Sequence, residues 1–357
     1  MTFLNITSLS DDAIALLKQL IVIPSFSREE GDTAAILEVF LNSNGVEAKR
    51  QANNVWAVNK YYDAAKPSIL LNSHHDTVKP NKDYTNDPFN AFEADGKLFG
   101  LGSNDAGGCL VSLIATFLYF YDHQDLKYNL IIAATAEEEI SGAGGIAALL
   151  PVLGSIAGGI VGEPTLMQMA VAEKGLMVLD CIAHGSSGHA AREEGDNAIY
   201  RALDDISWIR NYQFPKVSPF LGPVKMSATI ISAGTQHNVV PATCTFTVDV
   251  RINECYTHEE ILQVFKDNLQ SEVVPRSMRL RSTSIGEDHP IVISGTRLGL
   301  GSYGSATLSD KSLMPFPALK IGPGDSARSH MADEYIFLEE ISQGVDIYIQ
   351  LLKNILL

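Results

Sequence analysis

The chain has 357 residues, 46% of them hydrophobic and 19% charged, with a formal charge of −16. That balance describes a folded globular protein of about two domains and not a disordered chain. The negative charge argues against nucleic acid or an anionic membrane as the main partner, and no apolar run approaches the ~20 residues that a membrane span needs.

The segment SDDAIALLKQLIVI, with acids at its start and apolar residues at helical spacing, predicts a capped amphipathic helix. A second helix is expected from about Thr33 to Ser43, ending near Gly45. Short apolar strands follow at NVWAVNK, SILLNS, NLIIAATA and GGIVGE, separated in part by helical stretches such as GGCLVSLIATFLYFY and GAGGIAALL. Strands alternating with helices indicate an α/β domain with a largely parallel, buried sheet. From Lys174 the rhythm changes. GLMVLDCIAHG reads as a strand, DNAIYRALDDISWIRNY as a helix, VKMSATIISAG and TCTFTVDVRI as alternating strands, THEEILQVFKDNL as a helix and MRLRSTSI as the closing strand. That β-α-β-β-α-β order is ferredoxin-like. After Gly286 the α/β character returns and ends in the helix LEEISQGVDIYIQLLKNILL. The expected organisation is one domain, residues 1–173 and 286–357, interrupted by a smaller domain at 174–285.

Four cysteines, Cys109, Cys181, Cys244 and Cys255, form no C-x-x-C pair, and three lie in apolar or alternating runs. They read as buried free thiols, which suits a reducing cytoplasm. The N-terminus has no basic segment followed by an apolar core, so no signal peptide is expected.

The stretch NLIIAATAEEEISG ends an apolar strand in Glu137, Glu138 and Glu139, three mutually repelling carboxylates. Four more acidic or histidine sites sit at strand ends or in loops of the same domain. SILLNS runs into His74, His75 and Asp76, and residues two apart in an extended chain share a face, so His74 and Asp76 project together. Asp105 lies in the Gly-rich loop GLGSNDAGG before a helix, Glu163 in GEPT, and His330 in GPGDSARSHMADE. Each has a plainer reading: a solvated strand exit for the glutamates, a helix cap for Asp105, a solvated turn for Glu163, a surface histidine for His330. Ligands of open α/β sheets, however, bind beyond the carboxyl ends of the strands, where His74, Glu138, Glu139 and Glu163 would gather. Two histidines with several carboxylates and no thiolate suit zinc, cobalt or manganese in an open, catalytic site. No P-loop motif is present, and SYGSATLSD is too weak to mark a phosphate site.

In that order, SHHDT, GLGSNDAGG, TAEEE, GEPT and GPGDSARSH resemble the zinc aminoacylase and metallocarboxypeptidase family, which includes acetylornithine deacetylase, succinyl-diaminopimelate desuccinylase and several di- and tripeptidases. The resemblance spans nearly the whole chain. It implies a zinc-peptidase-like domain, a lid and dimerisation domain in the inserted module, and two divalent ions. Asp105 would bridge the ions, with His74 and Glu163 completing one site and Glu139 and His330 the other. Asp76 would orient His74, and Glu138 would be the general base. His189 in GSSGHAA would act as an oxyanion contact from the opposite subunit of a homodimer. Asn238 in QHNVVPA would touch substrate, and Arg251 in DVRIN either a substrate carboxylate or the protein's own structure. TAEEE departs from the Asp-Glu-Glu common in relatives, which makes Glu137 the spare member. The implied reaction is hydrolysis of an N-acyl amino acid in the cytoplasm, N-acetylornithine first, with acetyl- or succinyl-citrulline and -ornithine next. A succinyl-diaminopimelate desuccinylase, a dipeptidase and a non-catalytic binding module on the same fold are the alternatives.

Overall fold

The structure is a computed structural model that describes residues 5–192 and 194–357. The chain divides into two compact units. The first runs up to Val171 and adds Ser284–Tyr303 and Ser309–Leu357; the second comprises Ala172–Thr283 with Gly304–Leu308. That last short segment is separated from the rest of its unit by a long stretch of chain, and nothing in the sequence pattern assigns it there.

In the first unit, helix α1 (Ile6–Ile21) starts earlier than its acidic residues suggest, because Asn5 caps it by accepting from Thr7 N–H at 3.2 Å. It buries Leu9, Ala13, Leu16, Leu17 and Leu20, one face at helical spacing. Helix α2 is Gly31–Ser43. The sheet contains β1 (Lys49–Gln51), β2 (Asn54–Val58), β3 (Ser68–His74), β4 (Asn129–Thr135), β5 (Ile156–Val161), β6 (Met169–Glu173) and, late in the chain, Ala318–Lys320. Its order is β1-β2-β4-β3-β5, then Ala318–Lys320, then β6, then Thr283–Ser284, with Ser302–Ser305 also pairing β6. β4, β3, β5 and Ala318–Lys320 are mutually parallel, with His74 beside Thr135 and Asn72 beside Val161. Every residue of β3 and β4 is buried, as a sheet covered on both faces requires. Helix α3 (Gly108–Phe120), apolar on nearly all sides, packs against α1 and the C-terminal helix Leu338–Leu356.

The second unit comprises β7 (Gly175–His184), α4 (Ala198–Asn211), β8 (Lys225–Ala233), β9 (Thr243–Ile252), α5 (His258–Asn268) and β10 (Glu272–Pro275). Its sheet is antiparallel in the order β8-β9-β7-β10, the arrangement of a ferredoxin-like module. A capping box starts α5: Thr257 Oγ1 accepts from Glu260 N–H at 3.1 Å and the Glu260 carboxylate from Thr257 N–H at 2.8 Å.

The strand that closes this sheet is Glu272–Pro275; of MRLRSTSI only Thr283–Ser284 is a strand, and it belongs to the larger sheet. After α5 the chain pairs at once with β7, placing Val273 beside Cys181 in the core, and Pro275, which has no N–H to donate, ends the ladder. The alternation in MRLRSTSI has a local cause: Met278 packs against the same core, and Leu280 accepts from Leu176 N–H at 3.0 Å. β8 also differs from expectation. Its apolar residues alternate in sequence, yet most of the strand is exposed, including Ile230 and Ile231. Of the cysteines, Cys109, Cys181 and Cys244 are buried, Cys255 is half-buried, and all are free thiols.

Candidate active site

Because β4, β3 and β5 lie side by side and parallel, their carboxyl ends open at one edge of the sheet. His74 is the last residue of β3, Glu138 and Glu139 follow the end of β4, and Glu163 follows the end of β5. The turn Ser103–Gly107, before α3, adds Asp105, and a loop near the C-terminus adds His330. His74 Nε2 lies 3.3 Å from Asp105 Oδ1 and 3.9 Å from Glu163 Oε1. His330 Nε2 lies 3.0 Å from Glu139 Oε2 and 3.7 Å from Asp105 Oδ2. Asp105 therefore stands between the two imidazoles. The site is deep at one end and open at the other, with the His74 side chain 1% exposed and that of His330 54%.

Asp76 sits beneath this cluster, fully buried. His74 Nδ1 is 3.0 Å from the Asp76 backbone carbonyl and 3.4 Å from its carboxylate. The carboxylate does more for the glutamate turn: it accepts from Glu138 N–H at 3.0 Å, from Glu139 N–H at 3.2 Å and from Ser27 Oγ at 2.7 Å. Glu137 turns the other way. Its φ is 55° and its carboxylate accepts from Gly144 N–H at 3.1 Å.

The electrostatics fit a cation site. Burial pushes Glu163 up to about 8, with Asp105 and Glu139 adding to the rise against Lys320 and His74. Burial likewise carries Glu138 well above the ordinary carboxylate range, despite His74. Burial disfavours a charged His74, but its hydrogen bonds to Asp105 and Asp76 outweigh that and hold it well above its usual value. Hydrogen bonding to Glu139 raises His330 to about 9. Protons on the imidazoles thus stand where positive charge is required, and a metal ion replaces them when it binds neutral histidine. The donor atoms of His74, Glu138 and Glu163, and those of His74, Asp105 and Glu139, lie within 4.8 Å of one another. Imidazole and carboxylate without thiolate is a donor set for divalent ions of the zinc, cobalt and manganese type.

Three buried acids around the site escaped the sequence reading. Asp310 accepts from Thr135 Oγ1 at 2.6 Å and is raised to about 6, chiefly by burial. Glu30 accepts from Glu137 N–H at 3.1 Å, Arg28 N–H at 2.6 Å and Asn53 Nδ2 at 2.8 Å. Glu334 accepts from three N–H groups of the Asp105 loop. All three act across long sequence separations, which no local pattern reveals. The nearest signal was the MADE that ends the His330 motif.

The remaining expected residues belong to the second unit. Gly188–His189 pairs with Val239–Val240, and Ala190 N–H donates to the Asn238 carbonyl at 3.1 Å, so exposed His189 and Asn238 are neighbours. Arg251 is gripped by Asp249 of its own strand, through Nε at 2.8 Å and Nη2 at 3.1 Å.

In the first unit a hollow of about 330 Å³ is lined by Thr165, Leu166, Tyr303, Asp325 and Ser326 among others. It adjoins the loops that carry Glu163 and His330. Among the described residues no helix is long and apolar enough to cross a membrane.

Residues 70–354 match the model of peptidase family M20/M25/M40. An acetylornithine deacetylase of Proteus mirabilis is 28% identical over 96% of this chain and 96% of its own length. A succinyl-diaminopimelate desuccinylase of a Ruegeria species is 26% identical over 70% of this chain and 68% of its own. Among solved structures, the aminopeptidase PepT of Bacillus cereus superposes with a TM-score of 0.77 at 17% identity, covering 99% of each chain. YXEP of Bacillus subtilis, described as a dinuclear metal-binding peptidase of the M20 family, gives a TM-score of 0.71 at 16% identity over 97% of this chain and 98% of its own.

Proposed function

Since the chain belongs to peptidase family M20/M25/M40 and is a metallohydrolase, we propose that it is a deacylase of N-acyl amino acids, with N-acetylornithine the leading substrate. The observation that carries the reading is the meeting of His74, Asp105, Glu139, Glu163 and His330 around Glu138 at one sheet edge. By the resemblance, His74, Asp105 and Glu163 would hold one ion and Asp105, Glu139 and His330 a second, both of the zinc type in the order of affinities such donors show. The chemistry such ions supply when bound is Lewis acidity toward an amide carbonyl and a lowered pKa for water.

The protein's own residues supply the rest. Glu138, which the resemblance leaves out of both ligand sets, takes the proton of the attacking water and returns it to the leaving amine. A carboxyl raised by burial is suited to do both near neutral pH. Asp76 holds the Glu138 and Glu139 N–H groups and so fixes which of the two faces the metals. Asn238 is the proposed contact of the substrate carboxylate. Arg251, already forked onto Asp249, is better suited to shaping its strand. We further propose a cytoplasmic homodimer, in which the exposed β8 edge provides association and His189 of the partner subunit meets the developing oxyanion.

The test is a hydrolysis screen of acetylornithine, acetylcitrulline, their succinyl analogues, succinyl-diaminopimelate and dipeptides. Acetylornithine should be the best substrate, chelation should abolish turnover, and added zinc or cobalt should restore it. Full activity in metal-stripped protein would end the mechanism, and preference for succinyl-diaminopimelate or a dipeptide would end the substrate assignment.

A further inference from the structure

The loop that presents Asp105 has a packing problem. Gly102 adopts φ 76°, and the short turn Ser103–Gly107 leaves its leading N–H groups without helical acceptors. Buried N–H groups need partners. The carboxylate of Glu334, itself 2% exposed, supplies them: Oε1 accepts from Asn104 and Asp105 N–H, both at 2.8 Å, and Oε2 from Gly102 N–H at 2.9 Å. The Glu334 carbonyl also accepts from Gly100 N–H at 3.0 Å. Asn104 closes a second tie to the His330 loop, donating to the Asp325 carbonyl at 3.0 Å and accepting from Asp325 N–H at 3.1 Å.

We infer that Glu334 is a positioning residue that sets the Asp105 carboxylate for metal and locks its loop to the one carrying His330. The inference rests on the reading of Asp105 and His330 as metal ligands. The two are far apart in sequence and reach the site from separate loops, so their separation must be fixed by something common to both. Glu334 lies four residues after His330 and holds the backbone of Asp105 directly. The neighbouring Asp333 makes a useful contrast. Its carboxylate accepts from Thr85 N–H at 3.0 Å and Asn86 N–H at 2.9 Å, so it fastens the same segment to an outer loop that carries no ligand.

Glu334→Gln keeps the size of the side chain and one acceptor oxygen but offers an NH₂ to Gly102 N–H. Outer residues that orient metal ligands typically cost 10–100-fold in metal affinity when altered. Cobalt titration of the chelated protein, followed by its visible absorption, reads both affinity and ligand geometry without turnover. Glu334→Gln should bind Co²⁺ roughly 10–100-fold more weakly, with an altered spectrum. Asp333→Asn should lower the melting temperature and leave the cobalt spectrum as in wild type. Should Glu334→Gln not fold, Glu334→Asp, which keeps the charge but shortens the reach, is read in its place with the same expectation. Wild-type affinity and spectrum in the folded Glu334 variant would overturn the inference while leaving the metal site intact. An equal spectral change in Asp333→Asn would overturn it too, by showing general loosening of the segment. Wild-type protein that binds no cobalt would overturn the inference together with the site reading on which it rests.

Discussion

The two sheets differ in what they leave open. In the first unit β3 and β4 are buried along their whole length, their edges are paired, and only the carboxyl ends remain for chemistry. In the second unit the residues of β7 alternate between buried and half-exposed, and α4 and α5 share a core with one face. The outer edge of β8 has no strand partner among the described residues. A sheet closed on both faces concentrates polar groups at its ends, where they perturb one another's protonation. An open edge keeps its groups solvated and suits association. The acids that perturb one another's protonation thus gather in the first unit, and the strand edge without a partner among the described residues lies in the second.

The sharpest way to break that division is at the end of β4. Glu138→Gln should retain metal and lose about 10²–10⁴-fold in kcat, the range for a positioned proton-transfer group. Glu139→Gln should instead lower metal content, since its carboxylate lies against His330. Metal analysis beside kinetics separates the two. Metal loss in Glu138→Gln with retention in Glu139→Gln would shift the assignment by one residue.

The same division governs what could be read in the sequence. His74, Glu138, Glu139 and Glu163 were legible because apolar strands end abruptly at them, and a parallel sheet forces such ends together. Asp105 and His330 lie in loops, so no strand end placed them at the site, and their places in the ligand set came from the motif order. Glu137 was read as the spare member, and its surroundings were not legible: the residue occupies a left-handed turn and closes onto Gly144. Asp76 was expected to serve His74, yet its carboxylate also anchors the glutamate turn through two backbone N–H groups. Glu30, Asp310 and Glu334 were invisible because burial and long-range backbone partners, not local spacing, define them. MRLRSTSI read as one closing strand, yet only Thr283–Ser284 is a strand, and its apolar residues are divided, Met278 packing against the second unit's core and Ile285 lying in the first unit's.

The open edge provides a second, smaller effect. In the proposed dimer, exposed Ile230 and Ile231 on β8 are the residues expected to be covered. Fully burying an isoleucine contributes about 1.5–3 kcal/mol, so Ile231→Lys should weaken dimerisation roughly 10–100-fold or more. Sedimentation over a range of concentrations reads this directly. A wild-type monomer at all concentrations, or an unchanged dimer in the variant, would remove β8 as the contact. Metal content should stay as in wild type, because none of the proposed ligands belongs to this unit.

The smallest effect concerns the second unit's stability. His258, buried at the start of α5, has Nε2 at 3.3 Å from the Leu176 carbonyl of β7. Burial holds its pKa below the usual 6.5, with Arg281 lowering it further and Glu259 and the backbone contact opposing. The unfolded chain therefore binds a proton more readily than the folded one as pH falls below 6.5, and linkage makes stability decline on that side. Above 6.5 the contribution is complete. Glu163 and Asp310, raised to about 8 and about 6, titrate over the same range in both proteins, so the effect of His258 is read as the difference between wild type and His258→Gln from pH 7.5 to 5.5, by denaturant unfolding. Wild type should lose more stability over that interval than the variant, which carries no titrating group at this position. Equal losses in the two proteins would mean that His258 is protonated as easily in the folded chain as in the unfolded one, and that its burial against β7 is not as tight as the fold describes.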